Sequence, residues 1–270
     1  MFFSDHNRYA RPEITGEDEY HTREDTPHLL ADRLTFKSRF IFTALFVRTV
    51  IRSYRMARRG AYNTTQWINT SHEIFTSVER CGGRIHLTGL DHIRKQEGPV
   101  IFLSNHMSTL ETMIFPGIIQ PLKNVTFVVK EELVKHWIFK NIMRSRDPIV
   151  LSRENPREDF RVVMEQGPAI LEKNISIVIF PQSTRKAEFR PEEFNSLGTK
   201  LAAKTGVPVI PIAIKTDFWG FSAISSYLGP IDRHKPVHIA FGEPIQVSPP
   251  GKEEHACVIE FIRSHIESWK

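Results

Sequence analysis

The sequence predicts an α/β fold, a mostly parallel central sheet flanked by helices, with a two-helix hairpin in front of it. Two observations carry this. From Arg84 onward, short apolar runs alternate with stretches of helical pattern, and the runs are apolar on both faces, as strands buried in a parallel sheet must be. Before Arg84, residues 36–80 carry helical patterns instead, broken at Gly60. At 270 residues the chain buries a sizeable core.

The opening segment, residues 1–30, is polar and charged from residue 4 to 28 and lacks the uninterrupted apolar stretch of a signal peptide. It is expected to be a disordered tail. Residues 31–82 form the hairpin and 83–270 the α/β domain. The first hairpin helix spans 36–59, with no Gly or Pro inside and Gly60 just past its end. The second spans 62–80 and stops before Gly82-Gly83. Predicted strands are 84–88, 99–104, 125–129, 148–151, 175–180, 207–214 and 237–242. Helices fall near 108–119, 131–144, 157–173, 192–205 and 254–268, and the aromatic segment 215–236 is expected to loop beside the site.

Charge narrows the function classes. The formal net charge is +5, which suits a polyanionic partner or simply a solvated basic surface. In the first hairpin helix the longest uncharged run, Phe40 to Val47, is too short to span a bilayer, which takes about 20 predominantly apolar residues. Winding that helix at about 100° per residue gathers Lys37, Arg48, Arg52, Arg55 and Arg59 within roughly 60°. Phe36, Phe42, Phe46, Val47, Val50, Ile51 and Tyr54 lie opposite, and no acid occurs between Arg33 and His72. Two readings fit: a helix lying in a membrane interface with arginines toward anionic headgroups, or a helix packed on the domain with a solvated basic edge. Nucleic acid is disfavoured, because zinc-finger spacing and aromatic-basic RNA motifs are missing. Two distant cysteines, Cys81 and Cys257, suit a reducing cytosolic setting.

The chemistry-bearing residues stand at strand ends, where α/β sheets gather their sites. The stretch IFLSNHMSTLE ends an apolar run on Asn105-His106 and places Glu111 in the first turn of the next helix. With His106 on the loop, Glu111 can reach an imidazole nitrogen, fix the tautomer and free the other nitrogen to accept a proton. The same residues also fit a hydrogen-bonded structural histidine beside a helix-capping acid. DPIVLSR ends on Arg153 and FPQSTRK carries Arg185, so two permanent cations approach the same rim.

In order, NHMSTLE, DPIVLSR, FPQSTRK and VPVIPIAI resemble the four-block signature of the lysophospholipid and glycerol-3-phosphate acyltransferase family (PlsC-like), over about residues 84–245. The hairpin likewise resembles that family's membrane-associating hairpin. The resemblance implies acyl transfer from acyl-CoA or acyl-carrier protein to a lipid or glycerol-phosphate hydroxyl, at the cytoplasmic face of a membrane, by a peripheral or monotopic protein. It implies that His106 takes the acceptor's proton and Glu111 orients His106. Arg153 and Arg185 would hold the acceptor's phosphate, and Asn105, Gln182, Ser183 and Thr184 would help bind substrate. No metal, cofactor or covalent enzyme intermediate is implied; the acyl donor is a co-substrate, the acceptor a lysolipid, and the partner surface an anionic membrane.

The chain departs from the family pattern at two places. Glu111 stands where the family has Asp, so the helix or the loop must shift about 1 Å to keep the bond to His106. Gln182-Ser183 replaces Glu-Gly, exchanging a carboxylate for an amide that both donates and accepts and pointing to an altered acceptor. A catalytically inactive lipid-binding protein on the same fold is the alternative. A serine hydrolase is disfavoured because no Gly-x-Ser-x-Gly elbow occurs.

Overall fold

The computed structural model describes residues 11–30, 32, 39–182, 184–220 and 229–270. Its elements run α1 (Pro12–Thr15), β1 (Tyr20–His21), α2 (Arg39–Arg58), α3 (Thr64–Arg80), β2 (Ile85–Thr88), α4 (Leu90–Lys95), β3 (Ile101–Ser104) and α5 (Leu110–Ile119). Then follow β4 (Val125–Lys130), α6 (Glu131–Lys135), α7 (Phe139–Arg144), β5 (Ile149–Leu151), α8 (Pro156–Leu171), β6 (Ser176–Ile179), α9 (Leu197–Thr205), β7 (Val209–Lys215), β8 (Val237–Phe241) and α10 (Lys252–Ser268).

The strands form one sheet in the order β1-β2-β8-β7-β3-β6-β4-β5. Neighbours from β7 through β3, β6 and β4 to β5 are parallel. β8 runs antiparallel to β7 but parallel to β2. Five neighbouring strands therefore deliver their carboxyl ends to one edge, the property that builds the site. Alternate residues of each central strand serve opposite layers: Phe102 and Val178 join the core under α2, α3 and α5, whereas Ile101, Leu103 and Ile177 join the core under α8, α9 and α10.

The hairpin shares its core with the sheet, since Phe42 and Phe46 pack edge-on against Trp219, and Phe42 also meets Phe218. Phe218 and Trp219, in the segment after β7, thus help seat the hairpin; residues 221–228 of that segment lie outside the described residues. Pro116 interrupts the ladder of α5, and α3 repairs the gap. The Ser71 hydroxyl donates to the Ile114 carbonyl at 3.0 Å and accepts the Gly117 N–H at 2.7 Å. Gly117 admits this approach: a Cβ there would stand 2.5 Å from the His72 ring, too close for any real contact.

Four expectations need correction. The opening tail is structured from residue 11 (residues 1–10 lie outside the described residues), and Tyr20–His21 pairs with His86 and Leu87. Its polar residues are spent on one buried acid: Tyr20 Oη and Thr22 Oγ1 donate to Glu79 at 2.6 and 2.8 Å, and Arg11 pairs with the same carboxylate. The stretch 131–144 is two helices, because the chain breaks at His136 and sends Trp137 out to the Tyr54 ring, 5.9 Å away. A short helix, α4, was not expected.

Finally, Arg52 does not join an outward stripe; it pairs with Glu73 of α3. The outward face of α2 instead carries Phe40, Ala44, Val47, Ile51, Arg55 and Arg58, which lie within roughly 80° at about 100° per residue. Residues 36–38 of the expected helix lie outside the described residues.

Candidate functional site

β3 ends at Ser104, and the chain must leave the sheet before α5 begins at Leu110. That loop folds around a carboxylate. Glu111 is fully buried, and its Oε1 accepts three N–H donors at 2.8 Å each: His106 Nδ1 and the backbones of Met107 and Ser108. Its Oε2 accepts the Ser108 hydroxyl at 2.9 Å and the Thr216 hydroxyl at 2.7 Å. Burial pushes the Glu111 carboxyl upward, but the hydrogen bond and charge of His106, with Thr216 and the backbone, outweigh it and hold the group below the usual range. The carboxylate is therefore ionised and fixes His106 as the tautomer protonated on Nδ1.

His106 keeps Nε2 as its accepting nitrogen and lines a cavity of about 500 Å³. Its ring lies on Phe180, 4.3 Å between centroids at 26°, which holds the imidazole plane from the β6 side. One wall of the cavity is the carboxyl edge of the sheet: Lys130 from β4, Arg153 beyond β5, and Phe180, Gln182, Thr184 and Arg185 beyond β6. The opposite wall is largely apolar, with Val50 of α2, Trp67 and Ile74 of α3, and Phe139, Ile142 and Met143 of α7.

Arg153 and Arg185, predicted to share a rim, line this one cavity. Arg153 has φ of 63°, a conformation that costs a non-glycine residue about 1–2 kcal/mol and collects at functional sites. Ser152 and Asp159 brace the turn, the Asp159 carboxylate accepting the Arg153 N–H at 3.3 Å. The buried Nε of Arg153 has no partner among the described residues. Gln182 accepts the His106 N–H on Oε1 at 3.2 Å, and its buried Nε2 likewise has no partner among the described residues. Arg153 and Gln182 both line the cavity, and buried donors left unpaired cost about 1–3 kcal/mol each, which suits an acceptor-rich, anionic ligand beside them. Arg185 donates to the Thr109 hydroxyl, tying the β6 loop to the start of α5.

Asn105 is the exception. Its side chain donates to the Ile214 carbonyl and accepts the Ile214 N–H, both at 2.9 Å, so its polar atoms pin β3 to β7, and it is not among the described residues that line the cavity. Ser183 lies outside the described residues. The helix and the loop absorb the extra methylene of Glu111 without losing the 2.8 Å bond to His106. Sequence reasoning missed Lys130 and Thr216, although each stands at the end of a predicted strand and the rule that singled out His106 reaches both.

Residues 84–215 match a family model described as Acyltransferase. A 1-acyl-sn-glycerol-3-phosphate acyltransferase of Pseudomonas aeruginosa is 33% identical over 151 residues, covering 56% of this chain and 57% of that protein. A chloroplastic 1-acyl-sn-glycerol-3-phosphate acyltransferase of Arabidopsis thaliana is 29% identical over 133 residues, covering 48% of this chain and 36% of that one. The chain thus spans about half the length, or less, of these curated relatives. In fold it resembles the crystal structure of a 1-acyl-sn-glycerophosphate acyltransferase from Thermotoga maritima, with a TM-score of 0.62 at 19% identity, over 85% of this chain and 95% of that chain.

Proposed function

Since residues 84–215 match a family model described as Acyltransferase, we propose that this protein moves a fatty acyl group from acyl-CoA or acyl-carrier protein to a hydroxyl of a phosphate-bearing lysolipid, at a membrane surface. The observation that carries this reading is the shared cavity: a histidine oriented by a buried carboxylate, beside Arg153 and Gln182, each with a buried donor that has no partner among the described residues. The relatives' names supply the acceptor class, a 1-acyl-glycerol-3-phosphate.

The geometry supports the following chemistry. An acceptor whose phosphate meets Arg153, Gln182 Nε2 and Lys130 presents its free hydroxyl toward His106 Nε2. The imidazole takes the hydroxyl proton as the oxygen attacks the thioester carbonyl. Glu111, ionised and fixed, stabilises the imidazolium that forms. Collapse of the tetrahedral intermediate breaks the C–S bond, and the imidazolium returns its proton to the leaving thiolate. An acyl chain takes the apolar wall between α3 and α7, where each buried methylene contributes about 0.8 kcal/mol. Incubating the protein with labelled acyl-CoA or acyl-carrier protein is expected to acylate 1-acyl-glycerol-3-phosphate and not monoacylglycerol. Equal turnover of the two would sink the phosphate role.

For the membrane, the support is the outward face of α2 with Trp137 beside it. Phe40 is 70% and Trp137 69% exposed, large apolar side chains flanked by Arg48, Arg55 and Arg58. Among the described residues no helix is long and apolar enough to cross a membrane, so this face would lie in the headgroup region. Each basic residue near an anionic surface contributes about 1 kcal/mol, so Arg48→Glu/Arg55→Glu/Arg58→Glu should weaken partition to phosphatidylglycerol vesicles more than about 100-fold. Unchanged sedimentation would leave the arginines a solvated edge.

A further inference from the structure

We propose that Thr216 is a positioning residue for the His106–Glu111 pair: its hydroxyl, delivered from the carboxyl end of β7, anchors Glu111 Oε2 and so holds Oε1 against the imidazole. The kinetic part rests on the function proposed above; the structural part does not.

The case begins with the length of the side chain. A glutamate reaches His106 through one more rotatable bond than an aspartate would, so its carboxylate needs more to hold its orientation. His106, Met107 and Ser108, all of the loop that the carboxylate itself organises, supply its other donors. Among the described residues, Thr216 is the one donor to Glu111 from outside that loop. It is fully buried, its hydroxyl lies 3.0 Å from Ser108 Oγ, and its N–H donates to Met107 Sδ at 3.2 Å. Asn105 pins the same two strands one step deeper through Ile214. Together they register the β3 loop against β7, and Thr216 alone transmits that register to the carboxylate.

This placement gives the chain's departure from Asp a physical reading. An aspartate at 111, shorter by one C–C bond of about 1.5 Å, would lose either the imidazole or Thr216. The longer side chain spans both. The two positions are then coupled: removing the Thr216 hydroxyl matters with Glu at 111 and little with Asp.

The test uses the full chain with 15N-labelled histidine. The proton on His106 Nδ1, identified by its loss in His106→Ala, is expected to give a downfield signal that moves or broadens in Thr216→Val and is restored in Thr216→Ser. In kinetics, Thr216→Val should lower kcat about tenfold, the scale of one buried bond to a charged group. KM should stay within about twofold and Thr216→Ser should recover most of kcat. In a Glu111→Asp background the same valine should cost less than about twofold. Should the valine variant fail to fold, Thr216→Ala carries the same expectations. A lowered melting temperature with signal and kcat unmoved, a serine variant as impaired as valine, or an equal loss in the Glu111→Asp background would each overturn the proposal. If the wild-type protein acylates nothing, the proposed function fails and the histidine signal still decides the role of Thr216.

Discussion

His106→Ala is expected to lower kcat for acyl transfer by about 10²–10⁴-fold, the usual contribution of a general base, with little change in the denaturation midpoint. The two parts together separate a catalytic histidine from a structural one. Removing the ring takes one of three donors from Glu111 Oε1, but the Met107 and Ser108 N–H groups remain at 2.8 Å and the Thr216 hydroxyl stays on Oε2. The buried carboxylate is therefore still satisfied, and folding loses only the stack on Phe180 and one bond. KM should move little, because the reading proposed above places the phosphate on Arg153 and Gln182, not on the imidazole. Measuring steady-state turnover beside a urea titration gives both numbers. Undiminished turnover would take the imidazole out of the reaction; a large loss of stability with proportionate loss of activity would make it a core residue. A lipid-binding protein without chemistry would show no turnover in the wild type either.

The alternation of apolar runs with helical stretches was readable because a strand buried on both faces has no room for polar residues. His106, Arg153 and Arg185 stood out for the converse reason: a polar or charged group placed where such a run stops sits at the sheet's carboxyl edge. All three line the one cavity there, while Glu111 stood out only by its spacing from His106. What stayed hidden depends on partners remote in sequence. Nothing local in Tyr20 or Thr22 announces a buried bond, because the acceptor, Glu79, lies in α3. Arg52 reads as one more cation of a stripe until α3 brings Glu73 to it. Asn105 sits beside the histidine in the chain, yet its side chain turns to Ile214 of β7. The break at His136 follows no Gly or Pro; packing of Trp137 on Tyr54 overrides the helical pattern. For Arg52 and Asn105 the pattern placed the element and tertiary contact chose the partner; for Tyr20 and His136 tertiary contact decided the element itself.

Arg153→Ala is expected to raise KM for a phosphate-bearing acceptor by about 10–100-fold, since a hydrogen bond to a charged group is worth about 1.5–3 kcal/mol. KM for the acyl donor should be nearly unchanged. Arg153→Lys should fall between, because an ammonium keeps the charge but lacks the planar fork that presents Nε to a phosphate. The backbone supplies a control. At φ of 63° an alanine carries the left-handed strain that a glycine does not. Arg153→Gly should therefore be more stable to urea than Arg153→Ala by about 1 kcal/mol, although both bind the acceptor equally poorly. Stability then follows the backbone while affinity follows the guanidinium, and no single defect in folding produces that split. The turn is held in its costly conformation by the Ser152 and Asp159 braces, and Arg153 lines the cavity from it. An alanine variant with wild-type KM would mean the strained turn serves something other than the phosphate.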